Sequence, residues 1–271
     1  MKRLHWTVLC VLLFFSAVSG ANSQEYQPSV GQAGKDVIWV PTPDNLIDAM
    51  LDAAKVSASD YVIDLGSGDG RIVIAAARRG ARATGVEFNP DMVELSRHNA
   101  EKAGVSAKAT FVNADIFESD FSRATVLTMY LLPQLNLRLR PTILNMTPGT
   151  RVVSNSFSMG EWPADQTLEL DGRTAFLWYV PARVEGLWTW NSNPNVGELK
   201  LVQEFQSVKG TLKLNGKELT LTDGKLEGDL IRFAAGDKDY EGRVNGGTME
   251  LKAATAGSEE KWSATLQRTN P

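Results

Sequence analysis

Residues 62–70, Val-Ile-Asp-Leu-Gly-Ser-Gly-Asp-Gly, restrict the fold more than any other stretch of the chain. A short apolar run, Tyr61 to Leu65, ends in glycines at three alternate positions. Arg71 to Arg79 then carries Ile72, Val73, Ile74 and three alanines, a helical composition. The pattern predicts a strand, a tight turn and a helix. Glycine suits such a turn because the backbone must take open φ angles and let a ligand come close. Asp64 stands one residue before the end of the strand, where a carboxylate can accept hydrogen bonds from a bound group.

Two nucleotide-binding patterns compete for this turn. The dinucleotide fingerprint Gly-x-Gly-x-x-Gly is met by Gly66 and Gly68, but Arg71 takes the third glycine position. A P-loop is excluded, because no Gly-Lys-Ser/Thr follows. Downstream, Ala83 to Val86 reads as a second strand with Glu87 at its end, from where an acid can take both ribose hydroxyls of a nucleoside. Asn89-Pro90-Asp91 opens a helix, with Pro90 suited to the first turn. Thr110 to Asn113 is a third strand, followed by Ala114-Asp115-Ile116.

The run from Asp64 to Gly70 resembles the first motif of class I S-adenosylmethionine-dependent methyltransferases, acid-x-Gly-x-Gly-x-Gly. The resemblance implies S-adenosyl-L-methionine as cofactor, bound by Asp64, Gly66, Ser67, Gly68, Asp69, Gly70, Glu87, Phe88, Asn89, Asp115 and Ile116. Within that set it implies that Asp115 meets the adenine amino group and that Ile116 packs on the ring. A single acid such as Glu87 or Asp115 is more often an exposed loop residue. Three acids, each just after a strand and in order, are poorly explained that way.

The rest of the chain gives the frame. Asp44 to Lys55 is an amphipathic helix with Leu46, Ile47, Met50 and Leu51 on one stripe. Ala124 to Tyr130 and Thr150 to Asn155 are further strands. Pro133 to Leu144 is a helix in which Pro141 predicts a kink or break. Asp171-Gly172 joins the strands Thr167 to Leu170 and Thr174 to Val180 as a hairpin. Strands alternating with helices, then a terminal hairpin, imply an α/β fold, a doubly wound, mainly parallel sheet with an antiparallel end, which resembles the seven-strand methyltransferase sheet. After Pro181 the pattern changes to short alternating runs, and Asn215-Gly216, Asp223-Gly224 and Asn245-Gly246-Gly247 read as turns. That predicts a small antiparallel β-barrel or sandwich, with Trp188 and Trp190 as core or rim packing. The expected divisions are a signal peptide over 1–21, a flexible leader over 22–36, a methyltransferase domain over 37–183 and an all-β domain over 184–271.

Lys2 and Arg3, the apolar run Trp6 to Val18 and Ser19-Gly20-Ala21 have the layout of a secretory signal. This predicts an exported protein, periplasmic or secreted, with an uncleaved membrane anchor as the alternative. The one cysteine, Cys10, lies in that run, so a cleaved chain has no disulfide, thiolate metal site or cysteine nucleophile. Cleavage leaves 26 basic against 32 acidic residues, a net charge of −6. A chain so charged lacks the basic footprint of a nucleic-acid binder. His98, mid-helix beside Arg97, reads as a solvated residue, and no metal cluster is evident.

Val40-Pro41-Thr42, the run Asp64 to Ala76, Glu87-Phe88-Asn89-Pro90 and Phe157 to Trp162-Pro163 resemble the protein-lysine methyltransferases of the ATP synthase c subunit and the adenine nucleotide carrier. This resemblance, over residues 37–165, implies N-methylation of a protein lysine. Trp39, Thr42, Tyr130, Asn155 and Phe157 are the acceptor-pocket candidates, none of them an obligatory catalytic group. The alternatives are a small-amine methyltransferase, or an exported binding protein whose β domain holds an apolar ligand.

Overall fold

The computed structural model describes residues 26–192, 195–255 and 258–267. The expected signal segment therefore lies outside the described residues, and among those described no helix is long and apolar enough to cross a membrane.

The first unit is a seven-stranded sheet in the order β3-β2-β1-β4-β5-β7-β6. Its strands are β1 (Tyr61–Leu65), β2 (Arg82–Glu87), β3 (Ala109–Asn113), β4 (Val126–Met129), β5 (Arg151–Asn155), β6 (Gln166–Leu170) and β7 (Arg173–Tyr179). The first five pair in parallel, and β7 runs antiparallel to both β5 and β6. Side chains alternate across a strand, so each strand feeds two cores. Val62, Val126 and Val153 join one with α1 (Asp44–Ala53), α2 (Arg71–Arg78) and α3 (Pro90–Lys102). Ile63, Leu65, Leu127 and Val152 join the other with α4 (Pro133–Ile143) and Trp162. Helices on both faces make the sheet doubly wound. The chain reverses its direction of travel at β1 and β4, which opens a crevice beyond their carboxyl ends.

The second unit is a closed barrel of eight antiparallel strands in sequence order, β8 (Gly186–Ser192), β9 (Asn195–Glu204), β10 (Ser207–Leu214), β11 (Lys217–Glu227), β12 (Leu230–Ala235), β13 (Lys238–Asn245), β14 (Thr248–Thr255) and β15 (Ser258–Gln267). Closure comes from β15 pairing with β8, Leu266 opposite Trp188. Eight strands leave an interior that side chains can fill. Here it is occupied by Trp188, Trp190, Leu212, Ile231, Met249 and Trp262, among others. Trp190 lies against Gly197, where a Cβ would stand 2.0 Å from the indole ring.

Three expectations need correction. Asp223-Gly224 is not a turn but a bulge inside β11: the register shifts between Thr222 and Lys225, and Asp223 takes φ +54°. Gly224 passes so close to β10 that a Cβ would sit 2.1 Å from the Val208 carbonyl oxygen. Of the kink or break expected at Pro141, the break is absent, since α4 continues through it to Ile143. Residues 29–36 do not leave the domain as a free leader; they fold back over the crevice, as described next.

Candidate active site

The turn after β1 is built by its glycines. Gly66, Gly68 and Gly70 take φ of +76°, +55° and +82°, a region that side chains disfavour. The Gly66 and Ser67 amides both donate to the Val86 carbonyl, which ties the turn to β2. From α3, Ser96 Oγ donates to the Gly68 carbonyl at 2.8 Å and Asn99 Nδ2 to the Asp69 carbonyl at 3.0 Å. Each carboxylate oxygen of Glu87 then accepts one backbone amide, Gly68 N at 3.0 Å and Asn89 N at 2.9 Å. Asn89 itself caps α3, accepting from Asp91 N at 2.9 Å. These bonds fix Glu87 between the two loops that frame the crevice.

The crevice is a cavity of about 690 Å³. Ten of the eleven cofactor candidates line it: Asp64, Gly66, Ser67, Gly68, Asp69, Glu87, Phe88, Asn89, Asp115 and Ile116. Gly70 does not. It starts α2, and a Cβ there would come within 2.9 Å of both Phe111 and Ser96, so its glycine serves packing. Ser67 is on the wall, but its buried hydroxyl is directed at Gly85 of β2, where a Cβ would stand 2.4 Å from Oγ.

Asp64 is 2% exposed and accepts a hydrogen bond from Thr128 Oγ1 of β4 at 2.7 Å. Burial first, then the acidic neighbours Glu87 and Asp69, raise its carboxyl to about 7 against the pull of the Thr128 bond. The two charges that shift it, Glu87 and Asp69, are both negative. The floor of the crevice is built to receive a cation.

The wall over this floor comes from the segment before α1. Gly31 N donates to Trp39 O and Trp39 N to Gln32 O, both at 2.9 Å, closing a small hairpin. Trp39 lies over Gly68, with Nε1 2.7 Å from where a Cβ would be. Lys35 forms an ion pair with Asp115 and stands 4.5 Å from the centre of the Phe88 ring. The pairing raises the Lys35 ammonium above its ordinary range and lowers the Asp115 carboxyl. Lys35 escapes the sequence reading, since its polar, glycine-containing surroundings carry no periodicity. Arg71, another missed residue, grips Asp69 through Nε and Nη2 at 2.9 and 2.6 Å and donates from Nη1 to the Thr42 carbonyl at 3.0 Å.

Of the acceptor candidates, Trp39, Thr42, Tyr130 and Phe157 line the cavity. Tyr130 and Phe157 stack with centroids 6.2 Å apart and planes at 29°. Asn155 is buried outside the wall and donates from Nδ2 to Thr42 Oγ1 at 3.1 Å. It holds Thr42 in place.

Residues 64–166 match the family model described as the ANTKMT methyltransferase domain. A protein-lysine N-methyltransferase of Saccharolobus islandicus is 40% identical over 151 residues, spanning 53% of this chain and 94% of the relative. The chain belongs to this methyltransferase family. A Mus musculus relative, the lysine N-methyltransferase of the ATP synthase c subunit, is 38% identical over 107 residues, which make up 39% of this chain and 43% of the relative. The chain thus spans less than half of that relative. An RNA methyltransferase from Salinibacter ruber, solved with S-adenosyl-L-homocysteine, is 50% identical, covers 54% of this chain and 96% of its own, and superposes with a TM-score of 0.53.

The methyltransferase is an S-adenosylmethionine-dependent enzyme, and the crevice fits that cofactor. A buried acid with the carboxylates of Glu87 and Asp69 close enough to raise it suits the ammonium and sulfonium of the cofactor. Open-φ glycines leave the backbone bare where a ligand must approach.

Proposed function

We propose that this enzyme transfers a methyl group from S-adenosylmethionine to the ε-amine of a protein lysine, with residues 64–116 seating the cofactor and Trp39, Tyr130 and Phe157 guiding the lysine. Asp64 serves the amino-acid end of the cofactor, Glu87 the ribose, and Asp115 the adenine. Ile116 and Phe88 flank the adenine position. When bound, the cofactor supplies a sulfonium methyl open to in-line attack by a neutral amine. The chain's own residues bind, align and dry that site.

The observation that carries the acceptor assignment is the stacked Tyr130–Phe157 pair on the same cavity as the acidic floor. Aromatic faces attract an alkylammonium. An apolar wall also disfavours its charge, so the amine sheds its proton before attack. The archaeal and murine relatives, both named as lysine N-methyltransferases, support the same acceptor. The Salinibacter relative is named for RNA, but a net charge of −6 after loss of the first 21 residues disfavours a polyanion. The same N-terminal residues support export of the chain. N-terminal sequencing of the protein made in its host tests that, with a retained Met1 contradicting cleavage.

The acceptor is tested by incubating the enzyme with methyl-tritiated cofactor and host extract, then separating protein from RNA. Label in protein is expected. Label confined to RNA overturns the lysine reading.

A further inference from the structure

The loop between β5 and β6, residues 156–165, carries Phe157 on the cavity wall and Trp162 in the core behind it. From the α4 side it is held by Asn136 Nδ2, which donates to the Phe157 carbonyl at 3.1 Å, and by Arg140 Nη1, which donates to the Met159 carbonyl at 2.9 Å. Its other side is held by the barrel. The Phe205 ring, at the tip of the β9–β10 hairpin, stacks on Trp162 with centroids 6.2 Å apart and planes at 11°. Gln206 Nε2 donates to the Pro163 carbonyl at 2.7 Å. Lys225 of β11 pairs with Asp165 at 3.2 Å, and the other Asp165 oxygen accepts from Tyr179 N at 3.0 Å.

The backbone at this tip is informative. Phe205 takes φ +52°, the left-handed region that glycine and asparagine occupy readily and a bulky aromatic does not. Among the described barrel residues, the others with positive φ and a side chain, Asn215 at a turn and Asp223 at the β11 bulge, are of the tolerant type. Nor does the Phe205 ring serve the barrel's own core: it packs with the core of the methyltransferase unit, beside Trp162. A strained aromatic that contributes to its neighbour's packing marks a docking contact.

We propose that Phe205 and Gln206 are positioning residues, through which the barrel holds the 156–165 loop so that Phe157 stays against Tyr130 on the acceptor side of the cavity. The barrel is then a buttress for acceptor alignment. Its effect is on the acceptor and not on the cofactor, whose candidate residues lie in segments 64–69, 87–89 and 115–116, outside this loop. The kinetic part rests on the lysine reading given above; the structural part does not.

Phe205→Gly isolates the ring, because glycine accepts the same φ without strain. Hydrogen–deuterium exchange of the full chain should show faster exchange at residues 156–165, with residues 61–87 and the barrel strands unchanged. Binding of S-adenosylhomocysteine by calorimetry should stay within about twofold, while kcat/KM for the labelled protein fraction falls about tenfold through misalignment. Phe205→Trp should restore both exchange and turnover. Unchanged exchange at 156–165 overturns the proposal. So does a loss of S-adenosylhomocysteine affinity equal to the loss of turnover, which would indicate general destabilisation. If the unaltered enzyme labels no protein, the lysine reading fails, and the exchange comparison still decides the positioning role.

Discussion

Replacing Asp64 with asparagine should stabilise the cofactor-free enzyme while weakening its grip on the cofactor. Asp64 has its carboxyl raised by burial from the ordinary 3.8 to about 7. A raised acid binds its proton more tightly in the folded chain than in the unfolded one. Its cost is therefore absent below the unfolded value, grows between pH 4 and 7, and is fully present above 7. Three pH units at 1.36 kcal/mol each put that cost at about 4 kcal/mol at pH 8, against about 2 kcal/mol at pH 5. An asparagine side chain cannot ionise, so the substitution removes this cost; its Oδ1 can still accept from Thr128. The amide nitrogen adds a new buried donor with a cost of its own, on the order of 1–3 kcal/mol. That cost does not vary with pH, so the difference between the two pH values is the clean signal. It should be about 2–3 kcal/mol in favour of the variant at pH 8, or roughly 5–10 °C in melting temperature for a chain of this size. Calorimetric melts of both proteins without cofactor, at pH 5 and pH 8, measure it. An equal shift at the two pH values would refute the argument that a buried, unbalanced charge sits on the crevice floor. With cofactor present the order should invert, because the bound cation has lost its partner.

Other residues give sharper local tests. Glu87→Gln leaves one of the two amides, Gly68 N or Asn89 N, without an acceptor; calorimetry should show cofactor affinity falling by about tenfold or more, with about 1–2 kcal/mol lost in stability. Gly68→Ala places a Cβ 2.7 Å from Trp39 at φ +55° and should abolish measurable cofactor binding, whereas Gly104→Ala, with open space around it, should leave binding intact. Lys35→Ala frees the Asp115 oxygen that an adenine amino group would use; stopped-flow quenching of tryptophan fluorescence should show faster cofactor association at low salt, by less than about fivefold, and no difference at high salt.

What the sequence discloses and what it hides follow one physical division. The turn from Asp64 to Gly70, the acids Glu87 and Asp115 and the strand-helix alternation are local patterns of period, glycine and charge, and all are legible. Thr128, which holds Asp64, lies 64 residues away and has no signature of its own. The stretch bearing Lys35, residues 29–36, is polar and aperiodic, so it reads as a leader; its order comes from pairing with Trp39 and from contacts with Phe88 and Asp115. Asp223-Gly224 carries the residue pair of a turn, and only the proximity of Val208 shows that the open φ serves a bulge. Phe205 meets Trp162 across the two units, a contact that no window of sequence contains.

The central claim is that the methyl group ends on lysine nitrogen. Acid hydrolysis of protein labelled by the full-length enzyme, followed by amino-acid analysis, tests it most directly. The label should co-elute with Nε-methylated lysine and, at limiting cofactor, fall by about tenfold or more with Glu87→Gln. Label on any other amino acid, or none in the hydrolysate while nucleosides are labelled, would contradict it.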